Sequence, residues 1–294
     1  MTAVSSERIT LYVPCYNAEL YIAACLEGVL KQTRPPDEIL VIDDGSRDRT
    51  VQIASQYPVK ILRHEQNSGL AAARNTAFRN ARHELVAALD ADCVADPSWL
   101  KLLESHFSDE KLAGVNGRLE EAVQTSVADR WRKTHMAQNW GEAPVRNPRF
   151  LFGADTVYRK AAVLEAGGYD ERLRTNGEDS NMSMRIAALG YHTFYEPRAV
   201  VRHLRQDTVH SVLETYWRYR RDYFSPMTAT KIWRSFRYQH IGSARHEFQQ
   251  DWRERRFGLL WVDALMCFYL PYCDLRLLRA TAPSAHSRIQ SSEV

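Results

Sequence analysis

Apolar positions in the N-terminal part of the chain fall into short runs separated by helical stripes. Ile9 to Pro14, Glu38 to Ile42, Val59 to Leu62 and Leu85 to Leu89 are too brief for independent helices, and each reads as a buried strand. Between them, Ile22, Leu26, Val29 and Leu30 recur at helical spacing, and Thr50 caps a helix through about Gln56. Asn67-Ser68-Gly69 then turns into a helix of small residues from Leu70 to Asn75. Strands alternating with helices predict an α/β fold, a mostly parallel, doubly wound, Rossmann-like sheet with helices on both faces. In such sheets ligands bind outside the carboxyl ends of the strands. That rule gathers Pro14 to Tyr16, Asp43-Asp44, the Gly69 to Arg74 turn and Asp90/Asp92 on one rim.

The second half carries a helix from Trp99 to Phe107 and a strand from Ala113 to Leu119. Glu120 to Pro148 is polar and weakly periodic, contains Trp131 and Trp140, and reads as a loop or helix facing an acceptor. Phe150 to Ala154 reads as a strand, and Lys160 to Ala166 as a helix closed by Gly167-Gly168. Gly177-Glu178-Asp179 opens a helix to about Leu189, and the Ala199 to Val201 strand leads to His203. Beyond His203, Tyr216 to Arg221 and Ile232 to Tyr238 interleave aromatic and basic residues, with Asp222 thinning the charge. Phe257 to Cys273 is the most apolar stretch, yet Asp263 and Pro271 interrupt it and it is short for a bilayer span. These helices form a C-terminal appendage with three open uses: lying on or crossing a membrane, packing against the rest of the chain, or forming a homodimer. From Ala282 the chain is Ser-rich and aperiodic and reads as a disordered tail.

The totals narrow the choices. At 294 residues, 45% hydrophobic and 26% charged, the chain suits one large globular domain or one domain plus an appendage. A net charge of +3 gives no ground for a nucleic-acid partner. The five scattered cysteines indicate neither a disulfide framework nor a zinc site. Met1 to Glu7 is polar and lacks a signal-peptide core, so a cytoplasmic location is expected.

The rim chemistry is acidic. Asp90 and Asp92 leave a buried strand one residue apart, and buried carboxylates need a cation or strong donors; Mg²⁺ or Mn²⁺ would serve. The structural alternative is a strand leaving the core into a polar turn at Asp96-Pro97. Asp43-Asp44-Gly45-Ser46 likewise reads as a turn, though a carboxylate there can accept from the N3-H of uracil or a ribose hydroxyl while Tyr16 lies against a base. Together these strand ends read as a nucleoside diphosphate site without a Gly-rich phosphate loop.

Val13-Pro14-Cys15-Tyr16-Asn17, Gln32-Thr33, Glu38 to Thr50 (EILVIDDGSRDRT), Asn67 to Asn75 (NSGLAAARN) and Leu89-Asp90-Ala91-Asp92, in that order, resemble the opening half of the family 2 inverting glycosyltransferases of GT-A fold. The resemblance runs from about Ile9 to His203 and implies a nucleotide-sugar donor, UDP-sugar favoured, and a divalent metal, Mn²⁺ or Mg²⁺. It implies a catalytic domain over 1–203, with a nucleotide-sugar half at 9–119 and an acceptor half at 120–203, then a helical extension over 204–280 and a tail over 281–294. Position by position, Pro14, Tyr16 and Asp44 would surround base and ribose, Arg74 would sit near the phosphates, and Asp90 near ribose and donor sugar. Asp92 would hold the metal, and His203 would complete its shell or touch the diphosphate. Asp179, with Glu178 second, would be the catalytic base; read structurally, both acids complement a helix dipole. The chain departs from the family pattern at Asp155, where Asn is frequent, and at Asn181 and Met182. The Gln-x-x-Arg-Trp signature of processive synthases is absent, since Gln249 to Arg253 reads QQDWR, which implies addition of one sugar at a time.

The function expected is therefore metal-assisted, inverting transfer of one sugar to a hydroxyl of a glycan or lipid-linked acceptor, in cell-envelope polysaccharide synthesis, by a protein peripheral on the cytoplasmic face of the membrane. A catalytically silent nucleotide-sugar-binding module is the alternative. A nucleotidyltransferase would need a Gly-rich basic loop after the first strand, where Cys15-Tyr16-Asn17 stands.

Overall fold

A computed structural model of the chain describes residues 7–174, 176–221 and 228–281; the expected tail and Asp222 lie outside these residues. Two compact units emerge. The first runs to Val123 and resumes over Ala137–Arg205; the second combines Gln124–Met136 with the chain from Gln206 on. Part of the stretch read as facing an acceptor thus belongs to the helical unit.

The first unit opens with β1 (Ile9–Cys15), α1 (Ile22–Leu30), β2 (Glu38–Asp43), α2 (Thr50–Ala54), β3 (Lys60–Arg63), α3 (Leu70–Asn80), β4 (Leu85–Leu89), β5 (Cys93–Ala95), α4 (Trp99–Glu104) and β6 (Leu112–Glu121). After α5 (Val127–His135), which belongs to the second unit, it continues with β7 (Val145–Arg146), β8 (Asp155–Arg159), α6 (Lys160–Glu165), α7 (Glu178–Ala188) and β9 (His192–His203). The strands form one sheet in the order β3-β2-β1-β4-β8-β6-β9-β5, with β7 paired to β9. β3, β2, β1 and β4 are mutually parallel, as the alternation of elements requires, and antiparallel pairing enters at β8 and at β5. Side-chain alternation splits β1 and β4 between two cores. Ile9, Leu11, Val13, Leu85, Ala87 and Leu89 pack with α1 and α4, while Tyr12, Val86 and Ala88 pack with α3, α6 and α7. Both faces are therefore covered, which leaves the strand ends as the place for polar chemistry.

Two local expectations shift. Thr50 is the first helical residue of α2 rather than its cap; Asp48 Oδ1 takes the capping role, accepting from the Thr50 amide at 3.0 Å. The strand expected at Phe150 to Ala154 begins only at Asp155. Residues 150–154 instead approach α3 and α7, and three aromatic rings, Trp140, Phe150 and Phe152, pack with centroids 4.9–5.4 Å apart.

The helical unit holds α5, α8 (Val209–Arg220), α9 (Ala229–Arg234), a π-helical turn (Ser235–His240), α10 (Ile241–Arg253) and α11 (Leu260–Thr281). Trp131 of α5, within the stretch read as facing an acceptor, is fully buried in its core with Tyr216, Trp217, Val262 and Met266. α11 buries Val262, Met266, Leu270 and Cys273 and exposes Trp261, Leu265, Phe268, Tyr272 and Leu275 along its other side. No helix among the described residues is long and apolar enough to cross a membrane.

Candidate functional site

The N-terminus of α3 is set by the end of β2. Gly69, at φ 98°, precedes the helix, and its amide donates to Asp44 Oδ2 at 2.8 Å. Asp44 Oδ1 accepts from the Ser68 amide at 2.8 Å and lies 2.7 Å from His64 Nδ1. Asp44, expected beside a base, is here buried and binds the turn that launches α3. Pro14 is buried in register with Ile42, and Tyr16 stands exposed just past β1.

The first turns of α3 bring Arg74 inside, with only 1% of its side chain exposed. Its Nη1 donates to the Gly153 carbonyl at 2.7 Å and to the Tyr12 hydroxyl at 3.3 Å. Around it stand three carboxylates: Asp90 at 3.5 Å, and Glu178 and Asp179 each at 3.9 Å. Gly153 is the hinge of this arrangement. Its amide donates to Asp179 Oδ2 at 2.9 Å, and a Cβ there would sit 2.3 Å from Asp179 Oδ1 and 2.6 Å from Arg74 Nη2. No side chain larger than hydrogen fits between the two.

The charges divide the acids into roles. Glu178 is almost entirely buried, and desolvation with the neighbouring Asp179 raises its carboxyl well above the usual carboxylate range, which favours its neutral form. Asp179 keeps 23% of its side chain exposed against 4% for Glu178, which makes it the more accessible of the pair, although its Oδ1 is itself buried and without a hydrogen-bond partner. Burial also lifts Asp90, to about 6, against the pull of Arg74.

β5 pairs antiparallel with β9, setting Cys93 opposite His203 and bringing Asp92 to the imidazole. His203 Nε2 lies 3.1 Å from Asp92 Oδ2, and Nδ1 lies 2.8 Å from Glu121 Oε2. Burial opposes charge on this imidazole, yet Asp92 and Glu121 override it and raise His203 to about 10; His203 in turn holds Asp92 near 2 despite burial. A carboxylate and an imidazole nitrogen side by side, the ring's far nitrogen fixed by a second carboxylate, form a donor set that suits a divalent cation. Cys93 lies within the same cluster.

The structure thus brings Arg74, Asp90, Glu178 and Asp179 together, and Asp92 with His203, while Pro14, Tyr16 and Asp44 stand at the ends of β1 and β2. Sequence reasoning missed Glu121, Tyr12 and Gly153 as parts of this site. Glu121 carried a faint signal, an acid two residues past the expected end of a strand, on the inward side of its alternation. Asp155 is fully buried with both oxygens lacking hydrogen-bond partners, and burial keeps its carboxyl well above the usual range.

A mixed sheet covered on both faces, with acids, one arginine and a carboxylate-backed histidine at its strand ends, has the GT-A architecture. The chain belongs to glycosyl transferase family 2, whose model matches residues 10–167. It is 32% identical over 174 residues to a pre-mycofactocin glycosyltransferase of Mycobacterium tuberculosis, covering 56% of this chain and 37% of that protein. To a poly-beta-1,6-N-acetyl-D-glucosamine synthase of Staphylococcus aureus it is 28% identical over 248 residues, covering 77% and 59%. The chain therefore spans less than two thirds of the length of these curated relatives. Among solved structures, a mannosyltransferase from Pyrobaculum calidifontis in complex with GDP-Man and Mn²⁺ matches with TM-score 0.57 at 19% identity, over 98% of this chain and 80% of that one. GalNAc-T7 with UDP, GalNAc and Mn²⁺ matches with TM-score 0.57 at 18% identity, over 79% and 54%.

Proposed function

We propose that this chain is an inverting glycosyltransferase that moves one sugar from a nucleoside diphosphate sugar, UDP-sugar favoured, to a hydroxyl of a glycan or lipid-linked acceptor. The observation that carries this reading is the clustering of Asp90 and Asp179 around buried Arg74, with Asp179 the more accessible of the Glu178-Asp179 pair. The acceptor oxygen attacks the anomeric carbon, the bond from that carbon to the diphosphate oxygen breaks on the opposite face, and the hydroxyl proton passes to Asp179. Glu178, neutral behind it, spares Asp179 a second buried negative charge. Arg74 sets the position of Asp179 through Gly153 and offers positive charge near the departing diphosphate.

Asp92 and His203 would hold Mn²⁺ or Mg²⁺, and Glu121 would keep the His203 ring in place. When bound, such an ion neutralises charge on the leaving diphosphate as a Lewis acid. Pro14, Tyr16 and Asp44 would frame the base and ribose. The exposed aromatic and aliphatic stripe of α11 supports a peripheral location on the cytoplasmic face of a membrane, where a lipid-linked acceptor would be presented.

Incubation with Mn²⁺ and a panel of nucleotide sugars is expected to release nucleoside diphosphate slowly from one donor, and Asp92→Ala to abolish that release. Donor binding by calorimetry with no hydrolysis and no transfer to any acceptor would instead make the chain a silent binding module.

A further inference from the structure

The helical unit buries a second set of acidic and imidazole groups, far from the strand-end chemistry in sequence. His135 closes α5, Asp251 lies on α10 and Asp263 on α11, and none of the three side chains reaches solvent. Each has a polar partner behind it, a hydrogen-bond donor for Asp251 and Asp263 and a close carboxylate for His135. Glu247 Oε2 lies 2.7 Å from His135 Nδ1. Arg256 Nε donates to Asp251 Oδ1 at 2.7 Å, and Trp131 Nε1 donates to Asp263 Oδ1 at 2.7 Å. The remaining atoms are His135 Nε2 and Asp251 Oδ2, 3.0 Å apart, and Asp263 Oδ2, buried without a hydrogen-bond partner. One ligand atom from each of the three residues lies within 4.8 Å of the others.

We propose that His135, Asp251 and Asp263 form a structural site for a divalent first-row cation of the Zn²⁺ type. A tetrahedral ion with ligands at about 2.0–2.2 Å separates neighbouring ligand atoms by roughly 3.3–3.6 Å, so the cluster needs only a small adjustment to close on it. A neutral imidazole and two carboxylates carry the two negative charges that such an ion cancels. The outer partners Glu247, Arg256 and Trp131 orient each ligand and leave its other atom for the metal, the arrangement that outer hydrogen bonds supply at protein metal centres. The site would tie α5, separated in sequence from the rest of its unit, to α10 and α11.

The test uses the full chain carrying His203→Ala, which disables the donor-side metal position, stripped with chelator and titrated with Co²⁺. One bound equivalent with the visible absorption of low-symmetry Co²⁺ is expected, together with a rise of several degrees in Tm on adding Zn²⁺. Adding Asp263→Asn, which retains an oxygen for Trp131, is expected to remove both signals. A folded His203→Ala protein that binds no Co²⁺, or an Asp263→Asn variant that binds it unchanged, overturns the proposal and leaves a network bridged by protons alone. If His203→Ala does not fold, the unsubstituted chain decides: Asp263→Asn must then cost it one equivalent of Co²⁺, and an unchanged count again overturns the site.

Discussion

Arg74 is the buried cation on which the acid cluster depends, and Arg74→Met is the sharpest perturbation of it. The side chain is 1% exposed, and each of the three carboxylates near it has an oxygen without a hydrogen bond: Asp90 Oδ1, Glu178 Oε2 and Asp179 Oδ1. Removing one partner of a buried ion pair costs about 3–5 kcal/mol, because the surviving charge is left without compensation. At roughly 2–4 °C per kcal/mol for a unit of this size, Tm is expected to fall by about 6–20 °C at pH 8. The sign of the pH dependence follows from the acids. Without Arg74 the folded-state carboxyls of Asp90 and Glu178 rise further above their unfolded values, so the variant's added penalty is absent at pH below the unfolded pKa values and grows as pH rises through the folded ones. The loss of Tm relative to the unsubstituted chain should therefore shrink between pH 8 and pH 5. Differential scanning fluorimetry of both proteins across that range measures it. A loss that is the same at both pH values, or below about 2 °C throughout, would refute the assignment of Arg74 as the counter-charge.

Five further outcomes follow from the structure. Asp179→Asn is expected to lower kcat by about 100-fold or more, the usual scale for loss of a general base, while Glu178→Gln retains most turnover because burial beside Asp179 already favours the neutral form of Glu178. Glu178 has a raised folded pKa, so its destabilisation is absent below the unfolded value and grows toward pH 8; Glu178→Gln should raise Tm more at pH 8 than at pH 5. Gly153→Ala, whose methyl would meet Asp179 at 2.3 Å, should abolish donor hydrolysis even where circular dichroism shows an intact fold. Glu121→Gln should weaken Mn²⁺ dependence of donor hydrolysis by about 10–100-fold, read as the Mn²⁺ concentration at half-maximal rate. Replacing Trp261 and Phe268 by Ser should reduce co-sedimentation with anionic phospholipid vesicles without changing donor hydrolysis.

The parts of the site that could be read from the chain are those that strand polarity fixes. Once short apolar runs alternate with helices, Tyr16, Asp44, Asp90 and Asp92 must sit at carboxyl ends, and Asp179 needs only the helix start at Gly177-Glu178 to be located. What escaped depends on contacts that no local pattern encodes. Glu121 reaches His203 because β6 runs two residues past Leu119 in parallel register with β9, pairing these two residues directly. Gly153 matters because Arg74 and Asp179 approach each other over its missing side chain, just ahead of the strand that starts at Asp155. Trp131 gave no sign of a core position because it lies in a polar, weakly periodic stretch. Its partner Asp263, 132 positions away, then looked like a blemish in an apolar segment. Each residue explains the other: an indole N–H buried in a core requires an acceptor, and a carboxylate inside an apolar helix requires a donor. Unexplained polar residues in apolar runs are thus best searched in pairs, and here that pairing leads from Trp131 through Asp263 to His135 and Asp251.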